Sequence, residues 1–188
     1  MKKLSLIIAI VSIGLLSHAQ FGVKGGLNVS TWRGDDAGDA KSLVGFYAGA
    51  YYNVGISSQF SFQPEVVFSA EGAKDDTNDE TVKTNYINIT PFVRFNSSGF
   101  FVGTGPQLGI LLSAKDESGG VSVDIKDALK SINFSWALMT GYEMPSGFGF
   151  YVRYNLGLTS IADDADIDVK TGVFQVGLRY NFKMGAAK

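Results

Sequence analysis

The sequence predicts an all-β protein, an eight-stranded antiparallel up-and-down barrel that crosses a membrane. Three observations predict it. Side chains alternate between apolar and polar in eight stretches of about 10 to 14 residues, which is the period of a β-strand. The connections between these stretches alternate between short and long. Finally, each stretch has an aromatic residue on its apolar face at the short-connection end.

The N-terminus has the features of an export signal. Two lysines follow Met1, residues 4–16 are apolar apart from two serines and one glycine, and Ser17 and Ala19 supply the small residues of a cleavage site. We therefore predict a cleaved signal peptide over residues 1–19 and an outer-membrane β-barrel domain over residues 20–188. The apolar run is shorter than the roughly 20 residues of a membrane-spanning helix. Because the chain has no cysteine, a lipid anchor at the new N-terminus is excluded.

Composition limits the chemistry of the mature chain. Its 188 residues include no cysteine and one histidine, His18, which leaves with the signal peptide. A thiolate zinc site is therefore excluded, and the usual general base near neutral pH is missing. A formal net charge of −2 gives no basic face for nucleic acid. We expect no enzymatic activity, no cofactor and no nucleic-acid partner.

One acidic segment is a weak candidate for a metal site. Asp164, Asp166 and Asp168 alternate in "DDADID" as in a calcium loop. The segment lacks the glycine and the final glutamate of an EF-hand loop. A solvated acidic loop is therefore the favoured interpretation, and we predict no metal centre.

The eight alternating stretches are predicted as strands of one barrel. Three connections, "GISS", "NSSG" and "PSG", have the size and residues of hairpin turns, whereas the other four have 11 to 19 residues. Up-and-down strands therefore place short turns at the periplasmic end and long loops at the extracellular end. We expect local bulges at Pro64 and Pro91 and one short helical turn within 124–132. The predicted strands are 21–31, 43–54, 59–70, 84–95, 100–112, 132–144, 148–159 and 172–183.

The acidic residues concentrate in the long connections. These segments contain 16 of the 18 acidic residues and eight basic ones, which gives the loop end a net charge of about −8. Solvated surface is the simplest interpretation of any one such loop. Because all four are acidic at one end, we expect this end to meet lipopolysaccharide and to be the surface where a protein partner, if there is one, binds.

The two faces of the strands differ in a way that favours lipid outside and a polar lumen inside. The apolar face has no charged residue, whereas the opposite face is rich in glycine. An eight-stranded barrel is only wide enough inside for side chains, so the face with small residues fits the lumen. We predict that the charges on it form a structural network without an aqueous channel; a gated proton or ion path is the alternative. These charged residues are Lys24, Glu65, Arg94, Glu143, Arg153 and Arg179.

The aromatic residues at the short-turn end predict a girdle at the periplasmic membrane interface. Each strand has one on its apolar face, and a ring at one height is typical of the membrane–water boundary. We therefore expect lipid around the apolar face. The residues are Phe21, Tyr52, Phe60, Phe95, Phe100, Tyr142, Phe148 and Phe182.

Several segments resemble a known family. "AQFGVKGGLNVS", "FQPEVVFS", "NYINITPFVRF", "GTGPQLGILLSA" and "GLRYNF" are similar to segments of the small outer-membrane β-barrel proteins of Bacteroidota, often called porin family or PorT-like. The resemblance implies a Gram-negative outer membrane and insertion by the outer-membrane assembly machinery, although six residues follow the last aromatic, Phe182. It implies no single function. A structural or interaction role in envelope integrity, adhesion or recognition is our leading hypothesis. The alternatives are an accessory role in protein secretion and small-ligand or ion transport through a gated lumen.

Overall fold

The computed structural model of the chain describes residues 19–38, 40–75, 80–164 and 166–182. The predicted signal peptide lies outside them, apart from Ala19, so its cleavage stays a prediction. Nine strands and a short 3₁₀ helix, Lys126–Ala128, make up the described chain. The strands are β1 (Ala19–Arg33), β2 (Lys41–Gly55), β3 (Phe60–Asp75), β4 (Glu80–Ser97), β5 (Phe100–Ser118), β6 (Val121–Asp124), β7 (Ile132–Glu143), β8 (Phe148–Gly157) and β9 (Lys170–Asn181).

Eight of these strands form a closed antiparallel barrel, which confirms the predicted fold. The order around the ring is β1-β2-β3-β4-β5-β7-β8-β9, and β9 pairs with β1 to close it. Closure gives each strand two neighbours, so no barrel strand presents an open edge to lipid. The ninth strand, β6, pairs only with the end of β5 in the long connection. In the described part of the chain, no helix is long and apolar enough to cross a membrane.

The three tight turns lie at one end of the barrel. Between β4 and β5 the two turn residues, Ser98 and Gly99, have φ angles of 49° and 88°. Two consecutive positive φ angles are typical of a type I′ turn, whose twist matches that of the flanking strands. Between β7 and β8, Gly147 has a φ of 90° and its N–H donates to the Met144 carbonyl at 2.9 Å.

Several barrel strands extend beyond their predicted bounds at the long-loop end. The β3–β4 ladder continues to the pair Asp75 and Glu80, and β4–β5 continues to Glu80 and Ser118. The sequence prediction ended each strand where apolar alternation ended. Backbone pairing continues past that point because polar strand residues in water still pair through their backbones. The predicted helical turn within 124–132 is present as the 3₁₀ helix.

The expectation of bulges at the prolines is wrong. Pro64 and Pro91 face each other in the β3–β4 ladder, whose register is constant from end to end. Each proline removes one hydrogen-bond donor but inserts no extra residue, so the register is kept. The shifts lie elsewhere, between Ser42 and Tyr47 in β2–β3 and between Asn85 and Tyr86 in β4–β5.

A side chain from β1 compensates for the shift between β2 and β3. The Asn28 amide nitrogen donates to the carbonyl of Phe46 at 3.2 Å and to that of Ala70 at 2.9 Å. Ser30 Oγ lies 2.8 Å from both the N–H and the carbonyl oxygen of Gly72. These bonds satisfy backbone groups that an interrupted ladder would leave unpaired in a membrane.

The lumen is filled by side chains, and the apolar faces point outward. A cluster of buried residues occupies the middle of the lumen: Tyr47, Val67, Phe92, Phe101, Ala137, Met139 and Tyr151. On the outer face Phe46 and Leu178 are 55% and 54% exposed, as lipid-facing side chains are in the isolated chain. At the long-loop end Ile125 and Leu129 pack against a second cluster that contains Tyr86. The Lys130 N–H donates to the Ile161 carbonyl at 2.8 Å, which ties the two loops over the mouth together.

Candidate functional site

Glu65, on β3, is at the centre of the charged lumen residues. Its side chain is completely buried, and its two carboxylate oxygens lie 3.0 and 2.8 Å from Lys24 Nζ. Arg153 Nη1 donates to the same carboxylate at 2.9 Å, and Gln63 Nε2 donates at 2.5 Å. One carboxylate thus pairs with two buried cations, the arrangement that makes burial of such charges tolerable.

Arg153 reaches across the whole lumen to make this contact. It lies on β8, which is four strands from β3 in either direction around the ring. Its Nε donates to Asn155 Oδ1 at 2.6 Å, and its Nη2 donates to Thr90 at 3.0 Å and to Gln107. The guanidinium is therefore held by side chains from several strands and lies across the lumen.

The second carboxylate, Glu143, lies nearer the short-turn end. Its Oε2 is 3.4 Å from Arg179 Nε and 3.8 Å from Arg94 Nη2. Both arginines donate to Gln63 Oε1, Arg179 at 2.8 Å. The six charged residues predicted from the sequence thus form two groups, one around each glutamate, with Gln63 between them.

Each lumen cation also lies over an aromatic ring. The Arg179 guanidinium carbon is 4.1 Å from the Tyr51 ring centroid and 4.9 Å from that of Phe101, and Arg94 lies 4.1 Å from Phe101. Lys24 lies 4.4 Å from the Tyr151 ring, and Arg153 lies 4.8 Å from that of Phe92. Such contacts add electrostatic attraction where water is excluded. The aromatic residues of the polar face therefore serve as platforms for the cations, which the sequence analysis did not predict.

A further lumen carboxylate is Glu71. The predicted strand 59–70 ends just before it and so leaves it in a long connection, which the structure corrects. Glu71 lies on β3, is 6% exposed and accepts a hydrogen bond from Asn88 at 3.2 Å. None of the ion pairs between described residues includes it. Glu71 has an odd residue number, as do Gln63, Glu65 and Ser69 on the same strand. This alternation is the sequence feature that predicts an inward-facing side chain. It was missed because the apolar alternation on the outer face ends just before it.

The predicted girdle residues are neighbours around the short-turn end. Phe21 pairs with Tyr52, Phe60 with Phe95, and Phe100 with Tyr142 in the ladders. The Phe182 N–H donates to the Phe21 carbonyl, and the two rings stack with centroids 5.8 Å apart. Phe148 pairs with Tyr180, and Tyr142 with Phe150. These two partners extend the band, and its role at a membrane interface stays a prediction.

The weak metal candidates are engaged in other contacts. Asp164 Oδ1 accepts the N–H of Asp166 at 3.0 Å, and Asp168 Oδ2 pairs with Lys170 at 2.8 Å. The Asp168 N–H donates to Asp36 Oδ2 at 2.7 Å, which joins two long loops. Within the described ranges, no group of three or more acidic, histidine or cysteine side chains is arranged to hold a metal ion.

Comparison with solved structures shows the same fold. Neisserial surface protein A matches with a TM-score of 0.55 and 16% identity, over 87% of this chain and 99% of that one. Ail, the attachment invasion locus protein of Yersinia pestis, matches with a TM-score of 0.51 and 18% identity, over 88% of this chain and 99% of that one. A second Ail structure, in complex with the heparin analogue sucrose octasulfate, matches with a TM-score of 0.50, 17% identity and the same coverage.

The sequence itself gives the family. No curated protein matches the chain. Residues 14–163, most of the barrel, match the family described as outer membrane protein beta-barrel domain. Together with the closed eight-stranded ring, this match places the protein in the outer membrane of a Gram-negative bacterium. The chain belongs to the outer membrane protein beta-barrel domain family.

Proposed function

We propose that this protein is a closed scaffold whose acidic extracellular end binds partners, in a structural, adhesive or recognition role. The ion pair between Glu65 and Arg153, which crosses the lumen at 2.9 Å, carries the proposal. Because the lumen is filled in this way, we assign the binding of extracellular partners to the loops and not to the interior of the barrel. The six lumen charges and Gln63 then serve to hold the barrel rigid beneath the loops.

The charge of the loop end indicates the chemistry of a partner. With Glu71 assigned to the lumen, the long-loop end has 15 acidic and eight basic residues. A field of this sign favours cationic partners and repels polyanions. Ail was solved with a polyanion, the heparin analogue sucrose octasulfate. We propose the opposite preference for this chain.

Binding in nanodiscs tests the proposal. The whole protein is titrated with a polylysine peptide and with sucrose octasulfate at low and physiological salt. We expect the peptide to bind, with affinity that falls as salt rises, and the octasulfate not to bind. A variant with Asp163, Asp164 and Asp166 changed to Asn should bind the peptide more weakly. Equal binding of both probes, or a variant with unchanged affinity, would contradict the proposal.

Two other roles make different predictions. A PorT-like accessory role in secretion, which rests on the resemblance to Bacteroidota barrels, predicts that secretion components co-purify with the protein from its own membrane. A gated solute path predicts ion conductance in a planar bilayer. The filled lumen favours the scaffold role over the gated solute path.

A further inference from the structure

We infer that the periplasmic mouth of the barrel is a binding site for a small anion, in which Arg94 holds the ligand and Glu143 is an internal competitor for the same cation. The ligand would have a carboxylate or a phosphate group and would enter from the short-turn side. This inference does not depend on the proposed role of the extracellular loops, which lie at the other end of the barrel.

A cavity opens at this mouth. It has a volume of about 360 Å³, and its exposed lining is mainly polar. Among the described residues, only short turns connect the strands at this end, whereas Ile125 and Ile161 belong to long connections that pack or pair at the opposite mouth. The lining side chains that matter here are Gln20, Asn53, Ser61, Arg94, Asn96 and Glu143.

Arg94 is buried beside this cavity with most of its hydrogen-bonding capacity unused. The side chain is 3% exposed, and its Nη1 donates to Gln63. Its Nε has no hydrogen-bond partner among the described residues, and Nη2 is 3.8 Å from the nearest Glu143 oxygen, beyond hydrogen-bond distance. A guanidinium has five N–H donors in a planar fork that matches carboxylate and phosphate oxygens. Because Nε is itself shielded from solvent, the donors that Arg94 offers to the cavity are the N–H groups of Nη1 and Nη2 that its protein contacts leave unused.

The charges of this part of the lumen are unbalanced. Four cations share two carboxylates, and Glu65 is already paired with Lys24 and Arg153 at 2.8 and 2.9 Å. Glu143 alone is left for both Arg94 and Arg179. The other lumen carboxylate, Glu71, lies six residues further along β3 toward the long loops and bonds to Asn88. A bound anion would supply the missing negative charge, which buried cations require.

Glu143 is placed to exchange with such a ligand. It is the last residue of β7, and its side chain is 21% exposed, against 2–3% for the two arginines. Its Oε1 accepts a bond from Asn181, but Oε2 lies within ion-pair distance of both arginines without accepting a hydrogen bond from any described residue. A loosely held carboxylate at the edge of the cavity can turn toward the periplasm when an external anion takes its place.

Titration of the refolded full chain by NMR tests this inference, with inorganic phosphate and acetate as separate probes. We expect saturable shifts at the residues around Arg94 with at least one probe, and the better probe identifies the ligand as a phosphate or a carboxylate. Glu143→Gln should tighten binding about tenfold because it removes the competing charge, and Arg94→Gln should weaken it about tenfold or more. Asp163→Asn, at the far end, is the matched control and should not change the affinity.

A second variant keeps the test decisive if Arg94→Gln does not fold. Asn53→Asp leaves the arginine in place and adds a negative charge to the cavity lining, so it should weaken binding of both anions. Heat-modifiable gel mobility reports that each variant is folded. The inference is wrong if neither anion binds the folded wild-type protein at 50 mM or below, or if Glu143→Gln and Asn53→Asp leave the affinity unchanged.

Discussion

Arg153 and Glu65 form an ion pair of 2.9 Å between β8 and β3, strands on opposite sides of the barrel. Both side chains are 1% exposed or less. A direct bond across the diameter places protein atoms in the middle of the lumen at that level. It also joins strands that no backbone ladder connects, so the lumen stabilises the ring from within.

Removal of the central carboxylate should strongly destabilise the barrel. In Glu65→Gln, Lys24 and Arg153 stay buried without their shared counter-ion. Loss of one partner of a buried pair costs about 3 to 5 kcal/mol, and we expect a decrease of this size in the free energy of unfolding. Urea titration of the protein in lipid vesicles measures it.

The control for Glu65→Gln is the loss of a carboxylate from a solvent-exposed ion pair. Glu117 pairs with Lys83 on the extended ends of β5 and β4, with side chains 39% and 49% exposed. Solvent screening limits such pairs to about 1 kcal/mol or less, so Glu117→Gln should change stability little. If the two variants lowered the free energy of unfolding equally, burial of Glu65 would not be the source of its contribution to stability.

Gly22 should not tolerate a methyl group. It faces Tyr51 in the β1–β2 ladder, and an added Cβ would lie 2.2 Å from the Tyr51 ring. The ring is fixed by Arg179, which donates to its hydroxyl at 3.0 Å. We expect Gly22→Ala to lower the free energy of unfolding by about 1 to 3 kcal/mol, the usual cost of overpacking, as measured by the same urea titration.

A double variant separates this clash from a general intolerance of the strand. With Tyr51→Leu the obstructing ring is gone, so Gly22→Ala should cost less in that background than in the wild type. Gly55→Ala is the matched control, since a Cβ there meets nothing within 4 Å. Additive effects of the two substitutions would argue against the clash.

The two tryptophans report the depth of the barrel in the bilayer. Trp136 is 41% exposed on the outer face of β7, six residues before Tyr142 of the girdle. This separation is about 20 Å along the strand and, for the usual strand tilt, about 15 Å along the membrane normal. With Trp32 replaced by Phe, fluorescence of Trp136 should be quenched most by lipids brominated near the chain ends. Quenching by aqueous iodide instead would contradict the outward assignment of the apolar face. Trp136→Phe, which keeps Trp32 at the loop end, is the reciprocal control.

The orientation of the two strand faces was predictable from sequence because it depends on local alternation and on the width of an eight-stranded barrel. The partner of each charge was not. Whether Arg153 meets Glu65 or Glu143 depends on the stagger of strands on opposite sides of the ring, which no local pattern encodes. Arg179 illustrates this, since it lies beside Glu143 and reaches Glu65 only through Gln63.

Strand ends were predicted less well than strand centres for a related reason. Apolar alternation reports contact with lipid, whereas strands end where backbone pairing ends. Glu71 shows the consequence, because it continues the inward alternation of β3 but follows the last apolar residues of the outer face. At the prolines the prediction was wrong because it expected an irregularity that the ladder does not have. A lost donor at Pro64 or Pro91 was expected to shift the register, and the ladder absorbs it without a shift.

Single-channel recording tests the central claim most directly. The full-length mature protein is refolded, inserted into a planar bilayer and held at both polarities near neutral pH. A lumen filled by the clusters around Glu65 and Tyr47 predicts a silent barrel, with folded insertion confirmed separately by heat-modifiable mobility. Reproducible unitary current steps from the wild-type protein would show an open path through the lumen and contradict the account.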